Sequence, residues 1–160
     1  MTSNTPSPSD PRTKFFREML LPKLQEECPL SDWRIRGNHT PVWVNLHRFS
    51  LDLWIGVGFT QEHKLRIDLH IGGSIQERYP QLYPELCNRG SSIEEALGLK
   101  LIFTAPGTGG AKAARIEVER TATIGDIEDI KESKVILDWT VLNVISFRSA
   151  FTSHINELIS

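Results

Sequence analysis

The feature that most constrains the fold is a strict alternation of apolar and polar residues from residue 64 to residue 71. Its apolar members are Leu65, Ile67, Leu69 and Ile71, and its polar members are Lys64, Arg66, Asp68 and His70. A period of two places successive side chains on opposite faces of a β-strand. The segment is therefore predicted to be a half-buried strand, with one face against a core and the other towards solvent.

The same period recurs in other segments and predicts a sheet. The five predicted strands are 42–47, 52–59, 64–71, 99–104 and 113–120. Turn-like breaks are expected at 48–50 and 60–63, and connections this short favour an antiparallel meander. Ala105–Lys112 is predicted to be the loop between the last two strands.

Helices are predicted before, within and after this set of strands. Ser9 or Asp10 precedes Pro11, a helix start signal, and Pro22 is expected to kink or end the first helix. That helix is predicted over 11–21, with continuation to Glu27 left open. Proline residues favour two short helices between residues 74 and 97, the second starting at Ser92 with a capping box to Glu95 and ending at Gly98.

The last segment, 134–159, is predicted to be a long helix, with a buried strand at 134–145 as the competing interpretation. A short helical turn is expected at 125–130. The long helix is apolar almost all round, so it needs cover beyond the sheet, and a partner subunit is one candidate. The candidate interface residues are Trp139, Phe147 and Phe151.

These elements predict an α+β fold in the order α-β-β-β-α-β-β-α, with an antiparallel sheet of about five strands and helices on one face. A chain of 160 residues suits one domain. We expect a disordered leader over residues 1–10 and a single domain over 11–160.

Composition excludes several classes of protein. The formal net charge of −2 argues against a polybasic coat for nucleic acid, and two cysteines are too few for a disulfide scaffold. No apolar run approaches the ~20 residues that span a bilayer. A cytoplasmic protein is the expectation.

Sequence motifs give little support to a catalytic or nucleotide site. The segment Gly107–Lys112 lacks the Gly-Lys pair and the following helix of a phosphate-binding loop, so a flexible hairpin connection is favoured. No serine elbow marks a nucleophile. Gly56 and Gly58 alternate on one strand face, where they give room to a ligand or, as is more common, mark a bulge or the close packing of another backbone or a Trp.

A metal-dependent hydrolase is a minority hypothesis. It would use Asp52, Asp68, His47 and His70 as a metal and water-activating set. His70 stands where nucleases of the restriction type carry a Lys, and no histidine pair has metal-ligand spacing. A solvated, charged sheet face is favoured, and no cofactor or metal is expected.

Segment 34–48 is basic and aromatic, which is typical of surfaces that contact phosphates and bases or an acidic protein. Its members are Arg34, Arg36, His39, His47 and Arg48, with Trp33 and Trp43. The candidate binding residues are Arg34, Arg36, Trp43, His47, Arg48, Arg66 and His70. Ordinary solvated surface remains the favoured interpretation of the segment.

From about Arg12 to Leu158 the chain resembles domain-of-unknown-function family 4268. The resemblance lies in Thr13–Leu24, Pro41–Leu46, Lys64–Ile71, Leu82-Tyr83, Ile93–Gly98, Ala114–Ile116 and the aromatic residues Trp139, Phe147 and Phe151. Pro84, Gly90 and the glycine-rich loop depart from the family pattern. The resemblance implies a non-catalytic role associated with DNA processing or phage defence, and it carries over no catalytic residue.

The predicted element order is also similar to that of secretion chaperones, which are small dimers that bind client proteins. Fold alone does not fix function. The favoured hypothesis is a binding module with a protein partner, as a monomer or a homodimer. The alternatives are the metal-dependent hydrolase, direct nucleic-acid binding by Arg34, Arg36, His47 and Arg48, and a chaperone-like dimer.

Overall fold

The computed structural model of the chain describes residues 10–29, 31–36 and 42–159. Its centre is a five-stranded antiparallel sheet with the spatial order β1-β2-β3-β5-β4. The strands are β1 (Trp43–Ser50), β2 (Leu53–Phe59), β3 (Lys64–Ile71), β4 (Ile102–Thr104) and β5 (Ala114–Thr121). The fold is α+β, as the sequence predicts. The leader predicted over residues 1–10 lies outside the described residues except for Asp10.

The helices pack on one face of this sheet. They are α1 (Pro11–Lys14), α2 (Leu21–Glu27), α3 (Gly73–Arg78), α4 (Leu82–Asn88), α5 (Gly90–Leu97), α6 (Ile124–Glu128) and α7 (Ile130–Ile159). α7 contacts β1, β2 and β3 on one side and α2, α4 and α5 on others. Within the described ranges, no helix combines the length and the apolar character needed to cross a bilayer.

The alternation along β3 sets the two faces of the sheet. All four apolar residues of β3, from Leu65 to Ile71, are completely buried against the helices. α7 supplies the opposing side chains Ile136, Val144, Phe147, Phe151 and Ile155, each at most 1% exposed. The polar residues of β3 therefore point to the opposite face, which we call the outer face.

The N-terminal helix passes Pro22 without ending, which settles the continuation to Glu27 that the sequence left open. Asp10 caps the helix by accepting a hydrogen bond from the Arg12 amide at 2.9 Å. A π-helical segment, Phe15–Leu20, then separates α1 from α2 and ends two residues before the proline. The wider turn displaces the carbonyl groups that a proline ring would crowd in a regular α-helix, so the chain continues helically to Glu27.

Three local predictions are corrected. The expected break at 48–50 is part of β1, which continues to Ser50 through two β-bulges and turns at residues 51–52. The central region holds three helices rather than two, and Ser92 lies inside α5 instead of capping it. The capping box is found at Thr123 and Asp126, at the start of α6.

Two predictions about glycine and loops are confirmed. Gly98 ends α5 in the left-handed conformation, with φ of 70°. The glycine-rich segment joins the antiparallel strands β4 and β5 through a short 3₁₀ turn, Thr108–Gly110, so it is a hairpin connection. β4 is shorter than predicted, because only Ile102–Thr104 pair with β5.

The contrast between buried and exposed apolar residues of α7 gives a stability test. Phe147 is fully buried, whereas Leu142 is 64% exposed. We expect Phe147→Ala to lower the free energy of unfolding by about 3–5 kcal/mol, because it leaves a cavity in the core. Leu142→Ala should change it by no more than ~0.5 kcal/mol. Equilibrium urea unfolding measures both, and equal effects would contradict the placement of α7.

Candidate functional site

The outer face of the sheet brings polar side chains from all five strands into two rows. In the first row, Asn45 pairs with Gly56, Gly56 with Asp68, and Asp68 with Glu117. The second row runs through Arg48, Trp54, His70, Arg115 and Thr104. Because hydrogen-bonded strands place paired residues side by side, each row is a continuous strip of neighbouring side chains.

Three aromatic rings stand parallel on this face. The rings of Trp54 and His70 stack with centroids 4.2 Å apart and 14° between their planes. Trp43 also stacks on Trp54, at 5.5 Å and 11°. Gly56 makes this stack possible, because a Cβ atom there would lie only 2.6 Å from Cζ3 of Trp54. The glycine positions therefore admit a closely packed Trp, which is one of the interpretations that the sequence left open.

A cleft remains beside the stack, so the glycines also leave room for a ligand. Its volume is about 230 Å³. We call it the sheet cleft, and its side-chain lining comprises Trp43, Trp54, Arg66, Asp68, His70 and Arg115, with Gly56 and Gly58 in its floor. Three predicted binding residues, Trp43, Arg66 and His70, therefore meet in one place.

Asp68 is the most perturbed acid of the cleft. It is only 6% exposed, and this burial is the main cause that raises the pKa of its carboxyl group to about 7. Like-charge repulsion from Glu117, its neighbour in the row, acts in the same direction, and the charge of Arg66 acts against both. Asp68 therefore titrates close to neutral pH and can act as either donor or acceptor of a hydrogen bond.

Two further acceptors in the same row are buried without a partner. The Oδ1 atom of Asn45 and the Oε2 atom of Glu117 have no hydrogen-bond donor within the described part of the chain. Oε2 of Glu117 lies 3.7 Å from Nε of Arg66, which is an ion-pair distance but too long for a hydrogen bond. Native proteins rarely leave buried polar atoms unsatisfied, so this row needs an explanation.

Asp52, a candidate metal ligand, has a structural role. It turns the chain between β1 and β2 with a left-handed φ of 65°. Its carboxylate accepts hydrogen bonds from the amide and hydroxyl groups of Ser74, at 3.1 and 2.8 Å. His70 Nε2 lies 3.5 Å from this carboxylate, but burial still lowers the pKa of His70. Gly72 must be glycine here, because a Cβ would overlap the Asp52 carboxyl group at 1.9 Å.

His47 does not share a face with His70. The β-bulge between Asn45 and His47 reverses the alternation, so His47 pairs with the inward-facing Ile55 and its ring contacts Trp33 and Phe49. Burial, followed by the charge of Arg148, lowers the pKa of His47 to about 4. The structure therefore does not bring the proposed hydrolase residues together. Among the described residues, no three His, Cys, Asp or Glu side chains form a metal-binding group.

The basic segment is also divided. Arg34 and Arg36 both form ion pairs with Asp32 at 3.3 Å, an acid that lies just before the segment. Trp33 is 2% exposed and cannot stack on a base. Arg48 lies on the outer face beside Trp54, whereas His39 is outside the described residues. The expected patch is therefore not one surface.

The predicted interface residues of α7 are mostly core residues. Phe147 and Phe151 are fully buried within this chain, so the prediction that they form an interface is wrong. Trp139 is half-buried, with the guanidinium group of Arg120 over its ring at 5.9 Å. The apolar residues of α7 that remain more than a third exposed are Ile130, Val135 and Leu142.

Asn45, Arg115 and Glu117 are site residues that the sequence analysis missed. Their strands were predicted, but their positions opposite Gly56, His70 and Asp68 depend on register. Comparison with models of known protein families, with curated proteins and with solved structures finds no match to this chain. The site therefore has to be interpreted from its own chemistry.

Replacing Asp68 with Asn tests the buried carboxyl group. Between its ordinary pKa of 3.8 and its folded-state pKa of about 7, the folded protein holds a proton that the unfolded chain releases. The contribution of Asp68 to stability therefore falls as the pH rises through this window. As the pH rises from about 4 to about 8, we expect the free energy of unfolding of the wild type to fall relative to that of D68N by roughly 4 kcal/mol at most.

The test uses the difference between the free energies of unfolding of the wild type and D68N, because His47 changes the stability of both proteins with pH in the opposite direction. Its pKa is lowered from 6.5 to about 4, so its contribution is present above the ordinary value and is lost as the pH falls. Both proteins contain His47, so subtracting the free energy of unfolding of D68N from that of the wild type at each pH removes this effect. Urea unfolding of both proteins from about pH 4 to about pH 8 is the measurement. A difference that does not change with pH would contradict the raised pKa.

Proposed function

We propose that this chain is a non-catalytic binding module whose contact surface is the outer face of its sheet, centred on the sheet cleft. The observation that carries the proposal is an aromatic wall and a buried carboxyl group in the same cleft. Trp54 provides the wall and Asp68 the carboxyl group, and Glu117, whose Oε2 lacks a hydrogen-bond donor, pairs with Asp68 in the neighbouring strand. Small-molecule and side-chain binding sites combine apolar walls with a few placed polar groups.

The arrangement favours binding over hydrolysis. Asp68, Asp52 and His70 are each explained by burial, by a turn or by ring stacking, and His47 faces the helices. No metal-binding group forms among these side chains within the described ranges. A binding role uses the cleft as it stands, whereas hydrolysis would require the four proposed hydrolase residues to be rearranged.

The biological setting of the proposal comes from the sequence resemblance alone. Similarity to domain-of-unknown-function family 4268 implies an accessory role in DNA processing or phage defence, through a protein partner. The occupant of the cleft is then either a group carried by that partner or a ligand that the pair shares. A cytoplasmic location belongs to this same proposal.

A panel of ligand classes tests the binding role. The panel contains nucleoside monophosphates, a short single-stranded DNA, a basic peptide and an acidic peptide. We expect at least one class to shift the amide resonances of β1, β2 and β3 saturably, because these strands form the cleft, while the ligand stays chemically intact overnight. Two-dimensional amide NMR spectra measure the shifts, and chromatography checks the ligand.

Two variants, one on the outer face of the sheet and one on α7, show which surface binds the ligand. Trp54→Ala removes the wall of the cleft and should weaken binding by about tenfold or more, since stacking on an aromatic ring is a major part of such contacts. Leu142→Ala removes a comparable apolar surface on α7 and should leave binding unchanged. If no class binds, or if the shifts map to α7 instead of the strands, the proposal is wrong.

A further inference from the structure

The chemistry of the sheet cleft restricts its occupant, and this inference rests on the binding role proposed above. The Asp68 carboxyl group, 6% exposed, is the acidic group that lines the cleft. Oδ1 of Asn45 and Oε2 of Glu117 lie in the same row but outside the cleft lining, and both are acceptors without a donor. A well-matched ligand therefore brings N–H donors to Asp68.

The size and walls of the cleft indicate a single flat ring system. A volume of about 230 Å³ is below the ~300–1,000 Å³ typical of pockets for drug-sized ligands. The walls are the faces and edges of stacked aromatic rings, on which planar groups pack well. One ring system fills the space, and any extension of the ligand has to leave the cleft.

The exit leads past two arginine residues. Arg66 and Arg115 line both the sheet cleft and a second, more polar cavity of about 430 Å³. Glu62, Glu117 and Glu119 also line that cavity. Glu117 pairs with Arg66, and Glu119 with Lys64 at 3.2 Å. Arg115 is therefore the cation best placed to meet an anionic group that extends from the ring.

These charges decide between two donor-rich planar groups, a guanidinium ion and a nucleobase. A guanidinium ion from a basic peptide would share the cleft with Arg66 and Arg115, whose two like charges offset the attraction of the Asp68 carboxylate. A neutral base with a phosphate avoids this repulsion and gives Arg115 a partner. Guanine carries two adjacent N–H donors on one edge, which match the two oxygens of an ionised carboxylate.

We propose that the sheet cleft binds the guanine base of a nucleotide. The base packs against the aromatic stack that Trp54 forms with Trp43 and His70, its N–H edge donates hydrogen bonds to Asp68, and its phosphate contacts Arg115. Adenine and cytosine present a ring acceptor beside their amino group, and that acceptor is repelled by an ionised carboxylate. The same chemistry is offered by a free mononucleotide and by an unpaired guanosine in a strand.

Titration of the full chain at about pH 8, followed by tryptophan fluorescence and calorimetry, tests this assignment. The probes are GMP, guanosine, AMP, CMP and the capped amino acid N-acetylarginine amide. We expect saturable binding of GMP, with AMP and CMP about tenfold weaker or more. D68N should weaken GMP binding by about tenfold or more. E132Q, an acid-to-amide change on the exposed start of α7, should leave it unchanged.

Two further measurements test the phosphate contact of Arg115 and distinguish a free nucleotide from a nucleic-acid strand. Arg115→Gln should weaken GMP but not guanosine, because only GMP carries the phosphate. An oligonucleotide of thymidines with one central guanosine, compared with thymidines alone, shows whether a guanosine within a strand enters the sheet cleft. If this oligonucleotide binds more tightly than GMP, the natural ligand is assigned to nucleic acid. If it binds more weakly, the natural ligand is assigned to a free nucleotide. Retained folding of each variant is checked by its circular dichroism spectrum and thermal transition.

The outcomes distinguish the ligand assignment from the binding role. If AMP, CMP or the arginine probe binds in a manner sensitive to D68N while GMP does not, the guanine assignment is overturned and the binding module stands. If GMP binds equally well to D68N, the assignment of Asp68 as its acceptor is overturned. If no member of this set or of the wider ligand panel binds, both proposals fail together.

Discussion

Helices cover one face of the sheet, and the remaining structure of this protein follows from that one-sided cover. On the covered face, the alternation along the strands supplies apolar side chains that pack on α7 and are removed from water. The outer face has no such layer in the described structure. Its own side chains have to shield the backbone of β2, which carries two glycines. Trp43 and Trp54 provide this shield by lying across the glycine positions.

The shield has an electrostatic consequence. By covering the strand on one side of Asp68, it removes a carboxyl group from water on the face that should be the wetter one. Burial of a charged group is unfavourable unless partners compensate, and here the pKa rises to about 7 instead. Acids perturbed in this way concentrate at functional sites. The cleft is therefore more than a by-product of packing, since a purely structural shield would be served as well by an apolar residue at position 68.

Much of the fold could be predicted from periodicity, because each alternating segment reports its own burial pattern. Lys64–Ile71 is the clearest example, and its predicted bounds match β3. The site could be predicted only in part, since its geometry depends on register and on bulges. The bulge before His47 turns that side chain inward, and nothing in the local sequence marks it. Similarly, Glu117 becomes a neighbour of Asp68 only through pairing between strands that are distant in sequence.

The long helix shows that one apolar pattern can have more than one source of cover. Its apolar circumference requires cover on several sides, and a second subunit is one way to provide it. Within this chain the sheet covers one side and α2, α4 and α5 cover others, while Ile130, Val135 and Leu142 stay exposed. Phe147 and Phe151 are therefore occupied by intramolecular packing. The other side of the sheet has no helical cover in the described structure, and there Asp68 is buried with a raised pKa and Oε2 of Glu117 lacks a hydrogen-bond donor.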